Sequence, residues 1–202
     1  MSFTTGDQTL WAVILGAILA TIGGFVSTTF EASYRRHERE RGAALLFGEI
    51  LSVLELLIAM AGRARDRGEP YGSFTMRLLR AVRREAEAYE RNREQLHDLR
   101  DVHTRAQIHT VMVKVMLSLE GVFDAMERIQ ADSITNRQAD LDPTSRSEVE
   151  TRLASAVFER DQAFDALGET AVDVAPIVEA LRPLAKQDFR VYSAVAAAGR
   201  SI

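Results

Sequence analysis

The chain has 202 residues, 25 Lys plus Arg against 29 Asp plus Glu, a formal net charge of −4 and no cysteine. Lack of cysteine excludes disulfides, thiolate metal sites and a Cys nucleophile. Once a membrane anchor is set aside, the length leaves enough chain for one ordinary domain with its own core.

Residues 8–30 carry no charged side chain, and Arg35, Arg36, Arg39 and Arg41 follow at once. A helix over the apolar run 10–30 reaches about 31 Å, close to the hydrocarbon thickness of a bilayer. Backbone amides in lipid must be satisfied within the segment, so the stretch is predicted to be a transmembrane helix over residues 9–30. Trp11 stands near one boundary, and Phe30 and Tyr34 near the other, where amphipathic rings prefer the headgroup level. No Lys or Arg precedes the span, so the positive-inside rule places residues 1–8 outside and the remainder in the cytoplasm. A cleaved signal would need its basic residues ahead of a shorter apolar core.

Within the span, Ala12, Gly16, Ala20, Gly24 and Thr28 recur every fourth residue, a spacing that lets two membrane helices approach closely. Self-association or packing on another membrane protein is the expectation. The basic juxtamembrane segment 31–42, with Arg35, Arg36, Arg39 and Arg41, is expected to contact membrane lipids.

A second apolar stretch, 43–62, contains Glu49 and Glu55 and is followed by Arg63, Arg65 and Arg67. Acidic side chains near a bilayer centre cost about 2.5–3.5 kcal/mol each, so this stretch is read as the first bundle helix. Leu46, Ile50, Val53, Leu54, Leu57 and Met60 repeat on it at helical spacing. Ala44, Gly48 and Ser52 form a small-residue face on the same helix, a possible continuation of the anchor's contact surface, although Gly42 weakens that continuity. Pro70 and Gly72 mark its terminating loop.

The second helix is predicted over residues 74–100, with Leu78, Val82, Ala86, Tyr89, Leu96 and Leu99 inward, and Arg77, Arg80, Arg84 and Arg91 outward. Asn92 falls in the apolar row, where a buried amide would need a partner. The apolar phase breaks near residue 102, and Thr104 with Gln107 suggests a capping box at the start of a third, antiparallel helix. That helix carries Ile108, Met112, Val115, Leu119, Val122, Met126 and Ile129. Residues 131–143 read as a mobile loop, and Ser147 with Glu150 as the cap of a fourth helix. Pro176 or Pro183 restarts a last one. No segment alternates with period two, so the class is all-α: a single transmembrane helix followed by a cytoplasmic antiparallel bundle of four to five helices over residues 43–202.

Chemical signatures are sparse. Glu94 and His97 form half of a di-iron carboxylate motif without a second copy, and Glu94 falls on the arginine side. His97, His103 and His109 are spread around a helix by their spacing of six. There is no Gly-rich phosphate loop, G-x-S-x-G or H-E-x-x-H. No catalytic, metal or cofactor residue is therefore assigned.

Residues 31–105 hold 15 Arg against 13 acidic residues, whereas 106–202 hold 10 Lys plus Arg against 15. The acidic distal half argues against nucleic acid as a partner. The basic residues are 23 Arg and 2 Lys, a skew expected of a GC-rich bacterial genome. The resulting expectation is a non-enzymatic, single-pass protein of a bacterial inner membrane. Its bundle would serve as an interaction or scaffold module, oligomeric or accessory to a membrane complex. The alternatives are a signalling or stress-response element, a holin-like or toxin-like effector, and a metal- or carboxylate-dependent enzyme.

Overall fold

The structure is a computed structural model that describes residues 5–68, 70–137 and 142–189; side chains of residues 5–30 and 32 lie outside the described set. It contains five α-helices and one 3-10 segment, with no strand among the described residues. The helices are α1 (Thr5–Arg67), α2 (Ser73–Asn92), α3 (Val102–Asn136), α4 (Pro143–Val172) and α5 (Val174–Ala185), and the 3-10 segment is Arg93–Asp98.

Helix α1 is unbroken for 63 residues, roughly 95 Å at 1.5 Å per residue. Gly42 does not interrupt it: the residue is exposed, with nothing within 4 Å of where a Cβ would stand. The stretch expected to span a membrane and the first bundle helix are therefore one element. Residues 31 and 33–39 are exposed, and burial begins at Glu40. The portion Ser33–Arg67 is long and apolar enough to cross a membrane, with mean hydropathy 2.1 in its most apolar stretch, yet half of that stretch is buried in the bundle. Glu49 is exposed, whereas half-burial of Glu55 pushes its carboxyl pKa up.

Cross-helix contacts give the topology. Phe47 meets Tyr89 edge-on at 6.0 Å, and Arg100 reaches back to Glu40, so α2 runs antiparallel to α1. Tyr89 Oη lies 3.0 Å from His109 Nδ1 and Arg83 stands over the Phe123 ring, which sets α3 antiparallel to α2. Lys114 pairs with Asp173, Arg128 with Glu159 and Arg152 with Asp132, an antiparallel register between α3 and α4. Helices α4 and α5 return along α1, through Arg65 with Asp165 near one end and Arg41 with the Ala185 carbonyl near the other. The result is an up-down bundle whose fourth rod is divided at Asp173. The last helix starts at Val174, ahead of both prolines: Pro176, with no N–H to offer the Val172 carbonyl, stands in its first turn beside the division, whereas Pro183 lies inside the helix and does not restart it. The core joins all four rods through Phe47, Leu51, Leu54, Tyr89, Met112 and Leu167, each less than 2% exposed.

Several boundaries differ from the sequence reading. The second helix ends at Asn92, eight residues earlier than predicted, where Asn92 Nδ2 donates to the Ala88 carbonyl and the chain tightens into the 3-10 segment. Helix α3 is capped by Asp101, whose carboxylate accepts from the His103 and Thr104 amides and the Thr104 hydroxyl, so Thr104 is a buried first-turn residue and the Thr104–Gln107 box does not form. Residues 131–136 continue α3, with Thr135 Oγ1 bonded to the Ala131 carbonyl, and Pro143 opens α4 under an Asp142 cap. The predicted loop over 131–143 therefore narrows to 137–142, of which 138–141 lie outside the described residues. Ser147 stands inside α4 and accepts through its carbonyl from Thr151. The stripe predicted for the first bundle helix is offset: Phe47, Ile50, Leu51, Leu54, Ile58 and Ala61 are buried, whereas Leu46, Val53, Leu57 and Met60 are half-buried.

The face Ala44, Gly48 and Ser52 is covered from within. A Cβ at Gly48 would stand under 3.0 Å from three ring atoms of Phe189, which is 2% exposed, and Ser52 donates to the Gly48 carbonyl at 2.7 Å. This face packs α1 on the α5 side of the bundle and is not free to extend an intermolecular contact. Gly48→Ala should lower thermal stability by about 1–2 kcal/mol because the ring must move. In a Phe189→Ala background the same change should raise it by up to about 1 kcal/mol through helix propensity. Melting followed by circular dichroism in both backgrounds checks this, and an unchanged sign would remove the packing assignment.

Candidate functional site

A strongly charged concavity lies where α1 leaves the bundle beside the corner that joins α2 to α3. It is an open cleft of about 680 Å³. One wall is α1, with Arg39 one turn beyond Arg35 and Arg36, beside Glu31. The other wall is the end of the 3-10 segment and the connector after it, with His97, Asp98 and Arg100.

That second wall exists because α2 ends early. Six residues of 3-10 geometry, from Arg93, carry Leu96 and Leu99 into the core and turn His97 and Arg100 outward. Glu40 then fastens the two walls. Its carboxylate, 7% exposed as a residue, accepts from the Arg100 amide at 3.2 Å and pairs with the Arg100 guanidinium at 3.3 Å. Arg100 Nη2 also lies 3.3 Å from His37 Nδ1. Glu31 pairs with Arg35. Arg36 and Arg39 have no hydrogen-bond or carboxylate partner among the described residues.

The four arginines named from sequence thus divide. Arg35, Arg36 and Arg39 line the cleft, whereas Arg41 points to the other side of α1, with Nε 3.4 Å from the Ala185 carbonyl at the end of α5. Sequence reasoning missed Glu40, Asp98 and Arg100. No spacing rule links positions 60 residues apart, although Asn92 in an apolar row was the local sign that α2 would break there. Asn92 itself is half-buried; it accepts from Gln95 as well as donating to Ala88, so it is satisfied as a helix stop.

The remaining candidates are dispersed. Ala12, Gly16, Ala20, Gly24 and Thr28 lie on the helical backbone of α1, but their side chains fall outside the described residues. Glu94 and His97 are both exposed, His103 is exposed and His109 faces Tyr89. Among the described residues no group of three or more His, Asp or Glu is placed to hold a metal ion.

A second polar cluster closes the opposite end of the bundle. Tyr71 donates to Asp161 at 2.6 Å and lies under the Arg160 guanidinium, 3.7 Å from its ring centroid. Arg65 bonds Asp165 at 2.6 Å and covers Phe164, which meets Tyr71 edge-on. Desolvation and the bond to Asp161 push the Tyr71 pKa up to about 12, and bonds from Tyr71 and Arg160 hold Asp161 below the usual carboxylate range. These bonds fasten the α1–α2 loop to α4. Beside it, Leu56, Met60, Ala64 and Phe74 line an apolar groove of about 690 Å³.

The class this defines is an all-α antiparallel bundle whose first helix runs far beyond the bundle. Comparison with protein families, characterised proteins and solved structures gives no match.

Glu40→Ala should cost about 2 kcal/mol, because two charge-assisted hydrogen bonds are lost and the Arg100 amide is left without its acceptor. Equilibrium urea unfolding checks this. A change below about 0.5 kcal/mol would show that the two walls are not held by this pair.

Proposed function

We propose that the chain is a single-pass protein of a bacterial inner membrane, anchored through residues 9–30, with a cytoplasmic bundle that serves as a non-enzymatic interaction module. The observation that carries this reading is the continuity of α1. The uncharged stretch and the wall of the bundle belong to one helix, so a partner bound to the bundle is held at a fixed height and orientation to the anchor.

The outer face of α1 supplies a surface for such a partner. Leu45, Leu46, Val53, Leu56, Leu57 and Met60 are only half-buried, where a bundle helix ordinarily presents charge, and Glu49 is the exposed acidic residue among them. Confinement to a membrane raises the effective concentration of partners, which lets modest apolar contacts suffice. Self-association through the small-residue rhythm of the anchor, or packing on another membrane protein, fits the same geometry.

Two experiments bear on this reading. A reporter fused after Ile202 should be active only in the cytoplasm, and activity outside would overturn the topology. A photocrosslinking residue at Val53 or Leu56 should give a discrete product in native membranes, while one at the exposed Arg84 should give none. Absence of product at both α1 positions would remove the interaction role.

A further inference from the structure

We infer that the cleft between α1 and the α2–α3 corner is a binding site for the phosphate group of an anionic phospholipid headgroup. This deepens the proposed function and rests on insertion of residues 9–30. Three observations support it.

The first is convergence. Arg35, Arg36 and Arg39 come from one element and His97 and Arg100 from another, more than 55 residues away in sequence, yet they line one cleft. A solvated arginine face on a single helix would have no second wall. The cleft volume, about 680 Å³, falls within the range of roughly 300–1,000 Å³ typical of ligand sites.

The second is the charge balance. Glu31 and Asp98 also line the cleft and Glu40 pairs with Arg100 beneath it, so three carboxylates stand against its four arginines. Glu31 is occupied with Arg35, and Arg100 is oriented by Glu40 beneath it. Arg36 and Arg39 are left with their donors unpaired among the described residues. Guanidinium forks match phosphate oxygens two at a time, which suits them to a phosphodiester.

The third is height. Along a continuous helix, Arg35 and Arg39 lie about 8 and 14 Å beyond Phe30, so their side chains reach back to the headgroup layer while their stems stay on α1. Anionic lipid at a cytoplasmic membrane surface attracts juxtamembrane arginines of this kind. A bound headgroup would bridge the two walls and hold α1 against the α2–α3 corner.

The test uses full-length protein in zwitterionic detergent, with native mass spectrometry reading retained lipid after addition of phosphatidylglycerol or phosphatidylcholine. The wild type should retain phosphatidylglycerol at least tenfold over phosphatidylcholine. R36Q/R39Q should lose that preference at least tenfold, whereas the charge-matched R80Q/R84Q, at two exposed arginines on α2, should keep it. Equal loss in both variants, or no preference in the wild type, would overturn the site. Displacement of the lipid by millimolar inorganic phosphate, with no preference for phosphatidylglycerol over phosphate, would overturn the lipid assignment in favour of a soluble anion. The two arginines make no contact that folding needs, so an unchanged melting temperature of R36Q/R39Q is expected. Alkaline extraction of membranes reports on the anchor separately: an extractable protein that still prefers phosphatidylglycerol would contradict insertion while leaving the cleft intact.

Discussion

Everything in this molecule hangs on α1 being one helix. A helix that left the bundle at Gly42 through a flexible joint would make the N-terminal segment a tether and nothing more. Instead the backbone hydrogen-bond ladder runs from Thr5 to Arg67. Glycine in a helix interior costs about 1 kcal/mol relative to alanine. At Gly42 that cost is spread over a long cooperative element whose following residues, Ala43, Ala44 and Phe47, are buried by the other rods.

The bundle reads α1 from three sides. Tyr89 on α2 packs on Phe47, Phe189 after α5 lies over Gly48, and Phe164 on α4 sits beneath Arg65. Polar fasteners then hold the ends. Glu40 ties α1 to the α2–α3 corner, while Tyr71, Asp161 and Arg160 tie the α1–α2 loop to α4. The two ends differ in what they leave over. In the Tyr71 cluster each hydrogen-bonding group is answered by another, whereas the Glu40 end leaves Arg36 and Arg39 unanswered beside a cleft. That asymmetry places the candidate binding chemistry on the side of the bundle facing the uncharged stretch.

Much of the fold was legible because helical periodicity survives in a single sequence. The inward rows of the second and third helices, from Leu78 to Tyr89 and from Ile108 to Val122, are buried as their spacing implies. The break near residue 102 is a real connector. What periodicity could not reveal was where helices start and stop, since those ends depend on side-chain bonds such as Asn92 to Ala88 at a stop and Thr144 and Ser145 to Asp142 at a start. A polar run does not mark a loop when its residues bond to their own helix, which is how residues 131–136 came to continue α3. The small-residue face of α1 misled in the opposite sense. Ala44, Gly48 and Ser52 looked like an open contact surface because their cover, Phe189, follows them by more than 130 residues. The cleft was half visible in Arg35, Arg36 and Arg39, and its other wall depended on a tertiary contact that no local pattern carries.

Continuity of α1 from the uncharged stretch into the bundle is the claim on which both the proposed interaction module and the proposed headgroup site depend. With no native cysteine, spin labels can be placed singly at Ser27 and at the exposed Ala59 of the full chain in lipid nanodiscs. At 1.5 Å per residue, pulsed electron resonance should report one narrow distance distribution centred near about 48 Å. A broad distribution, or one centred well below that value, would mean that the helix breaks near Gly42 and would contradict the account.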